Sequence, residues 1–128
     1  MELTETIDPG RPTGLDYYPL VKPGERFPIA DPDLPPRLEP RPADDSTFLQ
    51  AMLEGMAAIE ALAYRRLTEF GAPALRSVRS VGGGARNPAW THIRQHKIGV
   101  PFLPALSEEA AAGAARLAWQ GVRARATP

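Results

Sequence analysis

The chain has 128 residues, enough for one domain with one modest core. Its 15 Lys and Arg balance 15 Asp and Glu, and it has no cysteine. That composition argues against a sequence-independent nucleic-acid binder or a polybasic membrane-surface protein, and it removes disulfides and thiolate chemistry from consideration. No apolar run approaches the roughly 20 residues of a membrane span, and the acidic start Glu2-Leu3-Thr4-Glu5 lacks a secretory pattern. The expectation is a soluble cytoplasmic protein with neither nucleic acid nor membrane as partner.

Ten of the 15 prolines precede Ser46. Each fixes φ and removes a donor, so residues 1–45 read as an extended Pro-rich arm. Within it, 15–21 is a candidate strand, Lys22-Pro23-Gly24-Glu25 a turn, and Arg26-Phe27-Pro28-Ile29 a returning strand confined to an edge. Residues 31–43 read as an extended, polyproline-like crossing.

From Ser46 the period changes. Leu49, Met52, Leu53, Met56, Ile59, Ala63, Leu67 and Phe70 recur at three- and four-residue spacing, which predicts an amphipathic helix of about six turns. Thr47-Phe48-Leu49-Gln50 has capping-box spacing, Asp44 and Asp45 suit the positive helix end, and Gly71 with Pro73 ends the helix. Residues 75–81 read as a short strand on their valine content. The glycine run Gly82-Gly83-Gly84 then opens, through Ala85-Arg86-Asn87, onto a helix with Asn87 as N-cap and Pro88 at its first position. A glycine turn at a helix N-terminus suits a phosphate or a base edge, because backbone N–H groups can approach a ligand closely. Gly99 breaks this helix, 100–103 reads as a second strand, and Ser107 caps an Ala-rich third helix with Glu108 and Glu109 in its first turn. The alternation predicts an α/β unit over 46–124 with two or more short strands, followed by a tail at 125–128.

Other constellations carry less. His92 and His96 are four apart, a spacing that binds zinc elsewhere, but Ile93 stands where a metalloprotease helix needs Glu; no metal site is expected. There is no Gly-x-Ser-x-Gly elbow for a hydrolase. Arg86 reads as a surface residue beside the turn. Arg123 and Arg125 suit the negative end of the last helix.

Four blocks carry a resemblance: Leu53-Glu54-Gly55, Gly82-Gly83-Gly84-Ala85-Arg86-Asn87-Pro88-Ala89-Trp90, Gly99-Val100-Pro101 and Glu109-Ala110-Ala111-Ala112-Gly113-Ala114-Ala115. In order and spacing they resemble the C-terminal part of FGGY-family carbohydrate kinases. The arm, through residues 14–20 and 23–28, resembles a ribulokinase- or xylulokinase-like branch of cyanobacteria and plant plastids. The resemblance implies a partial ribonuclease-H-like (actin-like ATPase) fold and transfer of the γ-phosphoryl group of Mg-ATP to a sugar hydroxyl. It implies that Gly82, Gly83, Gly84, Ala85 and Asn87 line the adenine and ribose side of the nucleotide pocket. It also implies that the Ala-rich helix packs beside the turn and that Trp90 supports the core. The family's Asp-x-Gly-Thr phosphate loop, catalytic Asp and sugar-binding domain have no counterpart in residues 1–128. The expected catalytic set is therefore empty and the isolated chain is expected to be inactive. The competing expectation is a non-catalytic α/β module that dimerises, or docks on a separate chain, through uncovered apolar faces.

Overall fold

The computed structural model describes residues 3–107 and 109–126. Its longest element is α1, Asp45–Glu69. The helix starts where Asp44, in extended conformation, accepts Thr47 N–H at 2.8 Å and Thr47 Oγ1–H at 2.6 Å through Oδ2. These two bonds hold the Asp44 carboxyl below the usual carboxylate range. Thr47 is thus the donor to the cap and not the cap itself, and Gln50 does not close a capping box; its amide is engaged by the arm. The shorter helix α2, Pro88–Ile98, begins and ends as its sequence predicts, with Asn87 as N-cap, Pro88 in the first turn and Gly99 as C-cap. The third helix, α3, is Ala110–Arg125; Glu109 flanks it without a side-chain cap, and Ser107 Oγ accepts Glu109 N–H at 3.2 Å just outside. The expected first-turn role of Glu108 lies outside the described residues.

The expected strands are not realised. Among the described residues, extended pairing is limited to isolated bridges. Residues 75–81 and 100–103 do meet, in parallel, at Val78 and Phe102: Val78 N–H donates to Pro101 O at 3.0 Å and Leu103 N–H to Val78 O at 2.8 Å. Continuing that ladder towards Arg76 requires an N–H from residue 101, and Pro101 has none. The arm behaves likewise. Tyr18 pairs with Arg37 and Glu25 with Asp31, both antiparallel, so the chain reverses over 26–30 and returns through 31–37. The expected return over 26–29 is wrong, because that segment with buried Pro28 forms the bend itself. Extension from Tyr18 towards Leu20 would need an N–H from Pro35.

The core lies where the arm, α1 and α2 meet. Ile7, Ala57 and Ile93 are its buried centre, with Leu53, Ala89 and Trp90 packed against it. The buried face of α1 is built from small and polar residues, Gln50, Ala51, Glu54, Gly55, Ala57 and Ala61. The large apolar residues flank it, and Met56, Leu67 and Phe70 are exposed. A second contact joins α1 to α2 and to the bridged segments. The Arg94 guanidinium donates to both oxygens of Glu60 at 2.8 and 2.7 Å and to Ser80 Oγ at 2.5 Å. It also lies 4.9 Å from the ring centroid of Phe102. By contrast, α3 has no buried residue among those described.

Candidate functional site: the glycine turn and its cleft

The turn is built from one strained position and one short helix. Gly82 adopts φ 86° and ψ 179°, a conformation that side chains with a Cβ rarely enter. Gly83–Arg86 then form a 3₁₀ turn, with Ala85 N–H on Gly82 O at 3.1 Å and Asn87 N–H on Gly84 O at 3.2 Å. Asn87 closes it by accepting Trp90 N–H on Oδ1 at 3.1 Å.

This arrangement uses up donors at the start of α2. Pro88 has no N–H, Trp90 N–H is capped by Asn87, and Thr91 N–H already bonds Asn87 O at 3.0 Å. The N–H of Ala89, which lines the cleft, is not among these bonds.

Beside the turn lies an open cleft of about 780 Å³, within the range of small-molecule sites. Gly83, Gly84, Asn87, Ala89 and His92 form one wall, and Thr4, Glu5, Ile7 and Pro9 of the arm form the other. The structure therefore brings three of the five expected nucleotide-side residues, Gly83, Gly84 and Asn87, to one cavity. Gly82 is not a lining residue; it shapes the turn. Ala85 faces a separate cavity of about 200 Å³ with Ser80, Thr91 and Phe102. At the rim, Arg86 donates to Glu109 Oε1 at 3.0 Å, both side chains exposed. This ion pair tethers the turn to the residue before α3, and the start of α3 shares a third cavity with Arg79 and Val81.

Glycine is required for the backbone at Gly82 but not at its neighbours. A Cβ at Gly83 would meet nothing within 4 Å, and one at Gly84 would make ordinary contact with Trp90 Cδ1 and Nε1 at 3.5 Å. Trp90 itself packs on the Ile7–Ala57–Ile93 cluster, with its indole edge against the turn. His92 and His96 are both exposed on α2, and His92 lines the cleft. Among the described residues no group of three or more His, Cys, Asp or Glu side chains is placed to hold a metal ion. Glu5 is, among the described residues, the single carboxylate lining the cleft.

The arm wall was not legible in the sequence. Leu53-Glu54-Gly55 marks the place where α1 receives the arm, but its composition alone gives no sign of that role. Glu54 accepts Thr13 N–H and Oγ1–H, and Gly55 lies under Tyr17.

Comparison with known proteins places the chain in a family. Residues 1–121 match the FGGY family of carbohydrate kinases, C-terminal domain. The autoinducer-2 kinase of Yersinia pestis (strain Pestoides F) is 33% identical over 86 residues, covering 66% of this chain and 16% of that protein. The autoinducer-2 kinase of Yersinia pseudotuberculosis serotype O:1b (strain IP 31758) matches to the same extent. The chain thus spans about a sixth of the length of these curated relatives. The family implies a ribonuclease-H-like fold; the described residues form three α-helices and isolated bridges. With residues 1–121 matched end to end, the chain belongs to the FGGY family of carbohydrate kinases through that family's C-terminal domain.

Proposed function

We propose that the chain holds the adenosine end of ATP or ADP in the cleft between the Gly83–Asn87 side and the arm, as the nucleotide-binding part of a sugar kinase. In that reading 1–45 is the arm and cleft wall, 46–124 the nucleotide-binding unit and 125–128 a tail, in a cytoplasmic protein. One observation carries it: Gly83 and Gly84 line the cleft, yet neither has to be glycine for the fold. Their missing side chains leave room for a close-lying ligand.

The activity of the whole family member would be γ-phosphoryl transfer from Mg-ATP to a sugar hydroxyl, with a pentulose as acceptor. Such transfer requires nucleophile, metal and γ-phosphate to be positioned together. This chain's part is to bind and orient the base end: Gly83 and Gly84 supply a flat wall, Asn87 fixes the turn through its cap, and Ile7 and Ala89 supply apolar surface. Magnesium does not fit the described residues here, since among them Glu5 alone lines the cleft as a carboxylate. The ion belongs to the phosphate end, and no step is assigned to it. The isolated chain is accordingly expected to show no sugar-dependent ATP turnover.

Binding is testable by titrating ADP and following Trp90 fluorescence in a Trp119→Phe background. A saturable change is expected, and Gly83→Asp should weaken binding at least about tenfold, because its side chain occupies ligand space. The melting temperature should change little, since the added atoms meet no protein neighbour. Absence of any saturable change up to millimolar ADP would overturn the reading.

A second reading is favoured by one separate observation. Leu117, Trp119 and Val122 on α3 are 71, 64 and 61% exposed, and Leu106 before it is 95% exposed. Large apolar side chains left open in this way favour association. Under this reading the chain is an interaction module whose partner is a second copy of itself. Sedimentation at rising concentration should then show a dimer that Trp119→Glu dissociates; a monomer throughout would exclude it.

A further inference from the structure

We propose that Gln50 and Glu54 are positioning residues for the cleft: they latch the N-terminal arm onto α1 and couple arm docking to nucleotide occupancy. The inference rests on the nucleotide reading above and deepens it.

One wall of the cleft comes from a Pro-rich segment whose regular structure, among the described residues, is a single 3₁₀ turn, Leu3–Thr6. That wall stays in place through side chains of α1. Gln50 Oε1 accepts Asp8 N–H at 3.3 Å, while Nε2 donates to Asp8 O and Arg11 O at 2.9 Å and to Glu54 Oε1 at 3.0 Å. Glu54 accepts Thr13 N–H at 3.1 and 3.2 Å and Thr13 Oγ1–H at 2.6 Å. Both residues are 5% exposed.

Burying a glutamine and a carboxylate is costly unless every polar atom finds a partner. An apolar pair would anchor the arm without fixing its register. This pair reads the arm's backbone at residues 8, 11 and 13, and so sets where Thr4, Glu5 and Ile7 stand relative to Gly83 and Asn87. A ligand that touches both walls stabilises the docked arm, and by reciprocity the docked arm strengthens the ligand. Apparent affinity falls in proportion to the docked fraction.

The test uses the whole 128-residue chain with ADP as probe. Amide hydrogen exchange at Asp8 and Thr13 is expected to slow when ADP binds. Gln50→Ala/Glu54→Ala should weaken ADP at least about tenfold by the docked-fraction argument, with helix content by circular dichroism unaltered. Glu54→Gln, which keeps size and one acceptor oxygen, should fall between. If the double variant does not fold, Glu54→Gln and the exchange measurement on the wild type decide. ADP binding that leaves Asp8 and Thr13 exchange unchanged overturns the latch and leaves the nucleotide reading standing. Failure of the wild type to bind ADP overturns both.

Discussion

Gly55→Ala is expected to lower the melting temperature by roughly 5–10 °C, the equivalent of about 2 kcal/mol for a domain of this size. A Cβ at this position would lie 2.8 Å from Tyr17 O, 3.0 Å from Pro19 Cδ and 3.1 Å from Tyr17 Cβ. The nearest of these is backbone, so it cannot swing aside as the end of a long side chain would. Tyr17 is also held from its other side: its hydroxyl donates to Pro40 O at 2.5 Å and its ring meets Phe48 edge-on at 6.0 Å. Overpacking of this kind costs about 1–3 kcal/mol, and three close contacts place this site at the upper end. Helix propensity returns about 1 kcal/mol for Gly to Ala. Gly113→Ala in α3 is the control. No atom lies within 4 Å of its Cβ, so propensity alone acts and stability should rise. Equal melting of Gly55→Ala and wild type would mean that arm and helix do not approach as closely as described.

Gly55 also shows which parts of the fold the sequence makes legible. Element ends written in local chemistry were readable: Asn87, Pro88 and Gly99 bound α2 where a capping argument puts them. The buried face of α1 was not. Hydrophobic periodicity points to Leu49, Met52, Met56 and Ile59, but the arm approaches along Gln50, Ala51, Glu54 and Gly55, where small residues give it room and polar ones give it partners. Periodicity assumes that an apolar face meets another apolar face. A proline-rich strap, with its carbonyls and few N–H groups, asks for something else. The strands failed for a related reason. Valine content at 75–81 and 100–103 marks extended chain correctly, yet Pro101 denies the ladder its next bond, and one bridge is all that forms. At the site, the family resemblance singled out a turn that lines a cleft. It did not separate Gly82, which the backbone requires, from Gly83 and Gly84, which it does not.

Arg94→Ala should cost about 3 kcal/mol in urea denaturation. The Arg94 side chain is 12% exposed and that of Glu60 25%. Removing one partner of such a pair leaves a carboxylate poorly hydrated and unpaired, for which about 3–5 kcal/mol is typical when burial is complete; the partial exposure here places the value at the low end. The hydrogen bonds that Arg94 donates to Glu60 raise the guanidinium pKa above its ordinary value, against the opposing effect of burial. A raised folded-state value means that the contribution is fully present below the unfolded-state value and is lost only as pH rises through the folded one. For arginine that window lies beyond ordinary assay conditions, so the Arg94 side of the pair adds no pH dependence to stability at neutral pH. Arg94→Lys should recover little, because an ammonium cannot grip both Glu60 oxygens and Ser80 Oγ in one plane. Glu60→Leu/Arg94→Leu should recover most of the loss, since no charge is then left buried. A double-mutant coupling energy below about 0.5 kcal/mol would reduce the pair to an ordinary surface contact. Arg94 is also the side chain that ties Ser80, two residues before Gly82, to both α1 and α2. Loosening it should therefore weaken ADP at the turn even in molecules that remain folded, and Arg94→Ala titrated with ADP well below its denaturation midpoint measures that second effect separately from the first.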